Sequence, residues 1–338
     1  MKNKVLITGS SGFIGFCLSK SLLDKKFNVV GIDNHNNYYD VNLKNDRCKI
    51  LKKYKNFSFH KVDLNNYNQL NKIYKKYKFD IVVNLAAQAG VRFSLLKPRN
   101  YINDNINGFF NILELSKDFK IKHFIYASTS SVYGLNNNRT LSTNHSTSHQ
   151  LNIYSATKKS NEVFTHAFSH LYNLNCTGLR FFTVYGPWGR PDMSLFKFTK
   201  AMLNNQPLEL YNKGNHYRDF TYIDDVVDGI IKIIKKPFRN KKNWNSKKMQ
   251  QNFSSANWRV YNIGNNNSVY LKDFVHQIQK ELKIKKVKYK LLPLQEGDIY
   301  QTLSNTEDFK KDFKFKAKTN TQLGIKKFVS WYKSYYNK

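Results

Sequence analysis

Tyr154 and Lys158 lie four residues apart in the run Tyr154-Ser-Ala-Thr-Lys158. That spacing puts both side chains on one face of a helix, one turn apart. A phenol titrates near about 10 and is a poor base at neutral pH. A neighbouring ammonium favours the phenolate. Such a pair can accept a proton from an alcohol while hydride leaves the carbon. With 22 tyrosines in a lysine-rich chain, isolated matches to this spacing are common. The context gives this one its weight. Ala127-Ser128-Thr129-Ser130-Ser131-Val132-Tyr133-Gly134 reads as the hydroxyl-rich end of a strand. Thr129 is the candidate to share the reacting hydroxyl with Tyr154.

Hydride needs an acceptor, and the N-terminus has a place for one. Gly9, Gly12 and Gly15 follow the apolar strand Val5–Ile7 as G-x-x-G-x-x-G, with Phe13 and Ile14 opening a helix. Glycines there permit a tight turn and bring phosphate close to the helix N-terminus. Asp33 ends the next strand, where an acid binds a ribose 2′-hydroxyl and repels a 2′-phosphate. NAD is therefore preferred to NADP. Asp63 and Leu64 close the third strand and could flank the adenine, although Asp63 also fits an ordinary turn or cap. The small residues of Leu85-Ala86-Ala87 would let the cofactor lie close to the fourth strand.

These residues must be positioned by a scaffold. Strands are expected at Lys4–Thr8, Asn28–Asp33, Phe57–Val62, Asp80–Leu85, Lys122–Ser128 and Asn175–Phe181, with helices between them. Repeated strand–helix order predicts an α/β fold with a doubly wound parallel sheet. Ligands of such sheets sit beyond the carboxyl ends of the strands, where the motifs fall. Further on, Arg218–Ile223 reads as a strand feeding the helix Asp224–Lys235, and Val260–Gly264 as another strand. The polar stretch Phe238–Asn257 reads as a surface loop. The expected division is a cofactor domain over 1–180, to which segments near 215–235 and 258–266 are candidates to return. A smaller, mixed α/β substrate lobe would cover 181–338. The helical stretches Tyr101–Leu115 and Thr157–Leu171 are apolar over more than one face. Two readings stay open for them: deep burial, or a homodimer through a helical bundle.

The bulk properties exclude several classes. The 338-residue chain is 41% hydrophobic, with no apolar run long enough to span a bilayer. A strand starting near Lys4 leaves no room for a leader. Cys17, Cys48 and Cys176 form neither a disulfide framework nor a zinc spacing, so a reducing cytoplasm and no metal are expected. The net charge of +33 comes from lysine spread along the whole length. No zinc finger, RNA-binding signature or basic arm accompanies it, so nucleic acid is set aside as a partner. A positive field would help to attract an anionic ligand.

At this point the chain resembles the extended short-chain dehydrogenase/reductase superfamily and, within it, the NAD-dependent epimerase/dehydratase family. It looks closest to the UDP-glucuronate 4-epimerases. The resemblance is carried by Ala86–Arg92 (A-A-Q-A-G-V-R), Tyr126–Gly134, and Leu179–Met193 (L-R-F-F-T-V-Y-G-P-W-G-R-P-D-M). Arg218–Asp225, Val260–Asn265 and Phe328–Tyr336 add to it. It implies a Rossmann-type fold and tightly bound NAD. It also implies transient oxidation at C4 of a UDP-uronate, rotation of the 4-keto sugar, and hydride return to its other face. Thr129, Ser130, Ser131 and Thr183 would hold the carboxylate, and Arg190 would contact the substrate. Arg218 would meet the pyrophosphate, with Tyr211 near the uracil and Asp298 near the ribose. Arg92 lies in a family-like motif near the sugar without a firm role. The product would feed surface polysaccharides. Glu296 stands where the family usually has proline.

Related enzymes begin with the same oxidation and then diverge. A 4,6-dehydratase needs an Asp-Glu pair where this chain has Ser130-Ser131, and a glucuronate decarboxylase usually carries a glutamate in that segment. Neither acid is present. That argues against both, but a UDP-glucuronate decarboxylase stays open as an alternative, with epimerases of other UDP-hexoses or UDP-N-acetyl sugars and a non-catalytic NAD-binding regulator.

Overall fold

The computed structural model describes residues 3–238, 244–245, 247, 250–294 and 299–338. Its strands are β1 (Lys4–Thr8), β2 (Asn28–Asp33), β3 (Phe57–Lys61), β4 (Ile81–Asn84), β5 (His123–Thr129) and β6 (Cys176–Phe181). They continue as β7 (Thr183–Tyr185), β8 (Leu208–Leu210), β9 (Tyr217–Tyr222), β10 (Trp258–Ile263), β11 (Ser268–Tyr270) and β12 (Tyr289–Leu291). Seven form one parallel sheet in the order β3-β2-β1-β4-β5-β6-β10. The expected Rossmann-type doubly wound fold is the one observed, and the expected strand ends are met to within one or two residues.

Strand alternation explains why both sheet faces are covered. Val5 and Ile7 point into one apolar layer, built with Phe16 and Leu22 of the helix Phe13–Asp24 and Val226 and Ile230 of the helix Ile223–Lys235. Leu6 points into the other, with Tyr74 of the helix Tyr67–Tyr77 and Phe109 and Ile112 of the helix Gly108–Asp118. Strand order reverses between β1 and β4, which opens a crevice at their carboxyl ends. Thr8 Oγ1 donates to Asn84 Oδ1 at 2.6 Å there, and Ala86 N donates to Thr8 Oγ1 at 3.2 Å.

Several expectations change. Of the two later segments that are candidates to return to the cofactor domain, 258–266 contributes β10 to the large sheet, whereas the strand of the other, Tyr217–Tyr222, lies outside that sheet. That strand pairs with β7 and β11 in a separate small sheet, while β8 and β12 form a two-stranded one. Only the helix after β9 returns, packing against the helix Phe13–Asp24. The stretch Tyr101–Leu115 is not one regular helix: Ile102–Asn107 is a π-turn between two α-helical pieces. The buried Asn105 explains it. Its carboxamide accepts from Gln88 N at 2.8 Å, and donates to Gln88 O at 3.0 Å and to Thr157 Oγ1 at 3.1 Å, in the manner of π-bulges at sites. The loop Phe238–Asn257 lies partly outside the described residues, and its described end is not merely surface. Asn252 is buried and donates to Thr143 Oγ1 and Asp308 Oδ2, both at 2.7 Å.

The helix expected at Thr157–Leu171 spans Ile153–Tyr172, because Asn152 caps it by accepting from Ser155 N at 2.9 Å. Tyr154 thus falls in its first turn. The inward face of this helix is polar: Lys158, Asn161, Glu162 and Thr165 are buried, whereas Val163 and Leu171 are 55% and 66% exposed. Arg180 of β6 donates from Nε and Nη2 to the two Glu162 oxygens, each at 2.8 Å, and Ser128 Oγ donates to Glu162 Oε1 at 2.7 Å.

Removing one partner of a sealed pair strands the other charge. Glu162→Gln is expected to lower unfolding free energy by about 3–5 kcal/mol, read from urea unfolding curves of the variant and wild type.

Candidate active site

All of the site residues expected from the sequence that lie among the described residues line one cleft of about 950 Å³ at the carboxyl ends of the large sheet. Asp298 and Glu296 lie outside the described residues.

On the β1–β2 side, Gly9 has φ +70° and a Cβ there would come within 2.8 Å of Ala86 N. A Cβ on Gly15 would press into the Gly9 carbonyl. Gly12 caps the helix Phe13–Asp24 without any side-chain acceptor, so the amides of the first turn are not covered by a cap. Asp33 holds the loop: it accepts from Ser11 N at 3.0 Å and from His35 N at 2.9 Å. Asp63 faces the cleft and also caps its own turn, accepting from Asn65 N at 2.9 Å and from Asn34 Nδ2 at 2.8 Å. Burial would raise its carboxyl, but these bonds hold it below the usual range. Leu64, Leu85, Ala86 and Ala87 line the adjoining surface.

Tyr154, Lys158 and Thr129 meet at the end of β5. Burial raises the Tyr154 phenol, opposed by a hydrogen bond with Thr129 and by the charge of Arg190. Lys158 donates to the Ala127 carbonyl at 3.0 Å, and burial pushes it down to about 8. Thr129 also caps the short turn Ser130–Tyr133, accepting from Ser131 N at 3.2 Å.

On the far side lie Thr183, Arg190, Tyr211, Arg218 and Arg92. The Arg92 guanidinium stacks 4.0 Å from the centre of the Tyr211 ring, a cation–π contact that joins two distant segments. Arg218 Nη1 donates to the carbonyls of Tyr217 and Tyr300, at 3.0 and 2.9 Å. Arg190 donates to both oxygens of Asp192.

Sequence reasoning missed several residues here. Tyr38 donates to Asp192 Oδ2 at 3.1 Å. Arg47 is fully buried and donates to Ser11 O at 2.9 Å, to Gly189 O at 3.3 Å and to the Trp188 carbonyl. It therefore ties the glycine loop to the turn that carries Arg190. Lys44 donates to the carbonyl and Oδ1 of Asn36, each at 2.6 Å, and burial pushes it down to about 8. Asp104 is pushed up to about 6 by burial and the charge of Asp63. For Asp192 a signal existed, since it stands inside the motif Leu179–Met193; for Tyr38 and Arg47 there was none. Among the described residues no cluster of histidine, cysteine and acidic side chains could hold a metal ion. Nor is any helix among them long and apolar enough to cross a membrane.

Residues 5–264 match the NAD dependent epimerase/dehydratase family. The chain belongs to that family. NAD is its cofactor, and the glycine cradle with its open helix terminus and Asp33 suits a dinucleotide. The chain is 51% identical to Protein CapI of Staphylococcus aureus, over 99% of this chain and 100% of that protein. It is 40% identical to UDP-glucuronate 4-epimerase 4 of Arabidopsis thaliana, over 98% of this chain and 76% of that one. A crystal structure of UDP-glucuronic acid 4-epimerase from Bacillus cereus, in complex with UDP-glucuronic acid and NAD, superposes with a TM-score of 0.87. It is 30% identical and covers 98% of this chain and 100% of its own. The enzyme is accordingly an NAD-dependent nucleotide-sugar epimerase.

The depressed Lys158 has a stability signature. Below about 8 folded and unfolded chains both hold its proton, so the burial cost is complete. Between about 8 and the ordinary 10.5 only the unfolded chain holds it, and stability rises with pH where the unfolded state binds more protons. Cofactor-free wild type is therefore expected to gain stability relative to Lys158→Met as pH rises through that window, measured by urea unfolding at matched pH.

Proposed function

We propose that this protein is a UDP-glucuronate 4-epimerase, interconverting UDP-glucuronate and UDP-galacturonate to supply precursors of surface polysaccharides. One observation carries the reading. The strand end beside Tyr154 presents Thr129, Ser130 and Ser131 to the cleft, three small hydroxyls with no acid among them, and Arg190 lines the same cleft. The relatives named for this activity support it.

Tyr154 takes the O4 proton, with Thr129 sharing the hydroxyl. NAD, when bound, supplies the hydride acceptor and donor for C4. Lys158, fixed on the Ala127 carbonyl, keeps a positive charge beneath the reacting centre. A 4-keto uronate is a β-keto acid and loses CO2 when its carboxylate bond aligns with the ketone π system. Thr129, Ser130, Ser131 and Thr183 hold the carboxylate out of that alignment by donating hydroxyl hydrogen bonds to it, without an acid to assist decarboxylation. On the nucleotide side Arg218 meets the diphosphate, the stacked Arg92 and Tyr211 form a platform towards the uracil, and Asp298 takes the ribose. Residues up to 180, with β10, hold the cofactor, and those from 181 onwards mainly hold the UDP-sugar. The three cysteines are free thiols, in keeping with a cytoplasmic enzyme. The exposed Val163 and Leu171, near the half-buried Phe164 and Phe168, support a homodimer through this helix. Val163→Glu together with Leu171→Lys is expected to shift the protein to a monomer by light scattering.

Purified protein mixed with UDP-glucuronate, without added NAD, is expected to yield UDP-galacturonate by proton NMR with no loss of CO2. A pentose product would overturn the carboxylate assignment to Thr129–Ser131. Tyr154→Phe is expected to lower kcat by at least about 100-fold while UDP-glucuronate still binds by calorimetry.

A further inference from the structure

The cleft contains an ion pair of a different kind from the one in the core. Arg190 Nε donates to Asp192 Oδ1 at 3.0 Å, and its Nη2 donates to Oδ2. Tyr38, from the segment after β2, donates its hydroxyl to the same Oδ2 at 3.1 Å. The side chains of Arg190 and Asp192 are 22% and 25% exposed, against 0% and 1% for Arg180 and Glu162. A sealed pair has no competitor. A pair at the surface of a cleft can trade one carboxylate for another, because a guanidinium binds both through the same fork.

The backbone beneath the pair is anchored. Arg47 holds the carbonyls of Trp188 and Gly189, and Met193 N donates to Arg190 O at 3.1 Å. Exchange of partner therefore needs only the Arg190 side chain to pivot. Asp192 is a carboxylate at neutral pH: burial would raise it, but Arg190 and the Tyr38 bond hold it below the usual range. Burial, with the charge of Asp192, pushes Tyr38 up to about 12, so it stays a donor.

Epimerisation at C4 requires the oxidised sugar to turn over within the cleft. A uronate carboxylate must then leave one set of partners and find another. An arginine with no counter-ion in the same cleft would capture the carboxylate as it leaves Thr129, Ser130, Ser131 and Thr183, and would hold the sugar part-way. We propose that Asp192, backed by Tyr38, is an internal counter-ion that competes with the substrate carboxylate for Arg190 and so keeps the keto sugar free to turn. Asp192 is on this account a positioning residue acting through Arg190, and the inference rests on the uronate reading above.

Asp192→Asn keeps the shape and one acceptor but removes the charge. With UDP-glucuronate, KM and kcat are both expected to fall, each roughly three- to tenfold. Enzyme-bound reduced nicotinamide is expected to accumulate at steady state, seen by its absorbance, because the oxidised sugar waits to turn. Binding of UDP-glucose, which lacks the carboxylate, stays at the wild-type value by calorimetry. Tyr38→Phe acts in the same direction with a smaller effect, and Asp192→Glu returns KM towards wild type. A higher KM in Asp192→Asn, or a lower kcat without the absorbance change, overturns the proposal and makes Asp192 a purely structural partner. Wild-type protein inert to UDP-glucuronate overturns the uronate reading and this inference with it, and is scored first.

Discussion

The bidentate pair between Glu162 and Arg180 governs the geometry of everything around it. It joins the helix Ile153–Tyr172 to β6, and through Ser128 to β5. Arg180 also lies 4.9 Å from the Tyr133 ring, whose hydroxyl donates to Asn262 of β10 at 2.6 Å. One buried ion pair thus ties a helix to three strands. Burying two charges costs much of what their attraction returns, so apolar residues of equal volume could stabilise the fold as well. They would not fix the helix in rotation and register. Tyr154 sits two turns before Glu162 and Lys158 one turn before it, so their placement at the end of β5 depends on that register.

This helix inverts the usual pattern of a surface helix. Its polar residues face the sheet and some of its apolar ones face outwards. The inner face is polar because it carries a buried hydrogen-bond network: Lys158 on the Ala127 carbonyl, Glu162 on Arg180, and Thr157 bonded to Asn105 in the π-turn. Lys158, Glu162 and Thr165 each meet a partner there, as burial favours. The widened turn at Ile102–Asn107 belongs to the same network, since Asn105 links this helix to the backbone of Gln88 beside the cofactor cradle.

Charge in the cleft is arranged in compensated pairs rather than as one positive field. Arg190 has Asp192, and Asp33 is tied into the glycine loop. Arg92 rests on the Tyr211 ring, and Lys44 on the acceptors of Asn36. The global excess of +33 can draw an anionic nucleotide sugar inwards, but it does not decide how the anion is held. Local partners decide that, because interactions between exposed charges are screened beyond about 10 Å.

The sequence by itself determined the large sheet, the glycine cradle, the acid closing β2, and the Tyr154–Lys158 spacing on a helix. It also placed in one functional group the expected site residues that, where described, line the cleft from both sides. Those features are legible because strand alternation, helical spacing and glycine-dependent turns are local consequences of backbone geometry. Only the tertiary structure decided that β9 leaves the large sheet, that Asn105 opens a π-turn, that Asn252 is buried, and that Tyr38 reaches Asp192 across 154 positions of chain. It alone showed that Arg47 binds the glycine loop to the turn carrying Arg190. Such contacts depend on which loops converge at the carboxyl edge of the sheet. Periodicity reports the direction of a side chain within its own element, and says nothing of the partner that waits there.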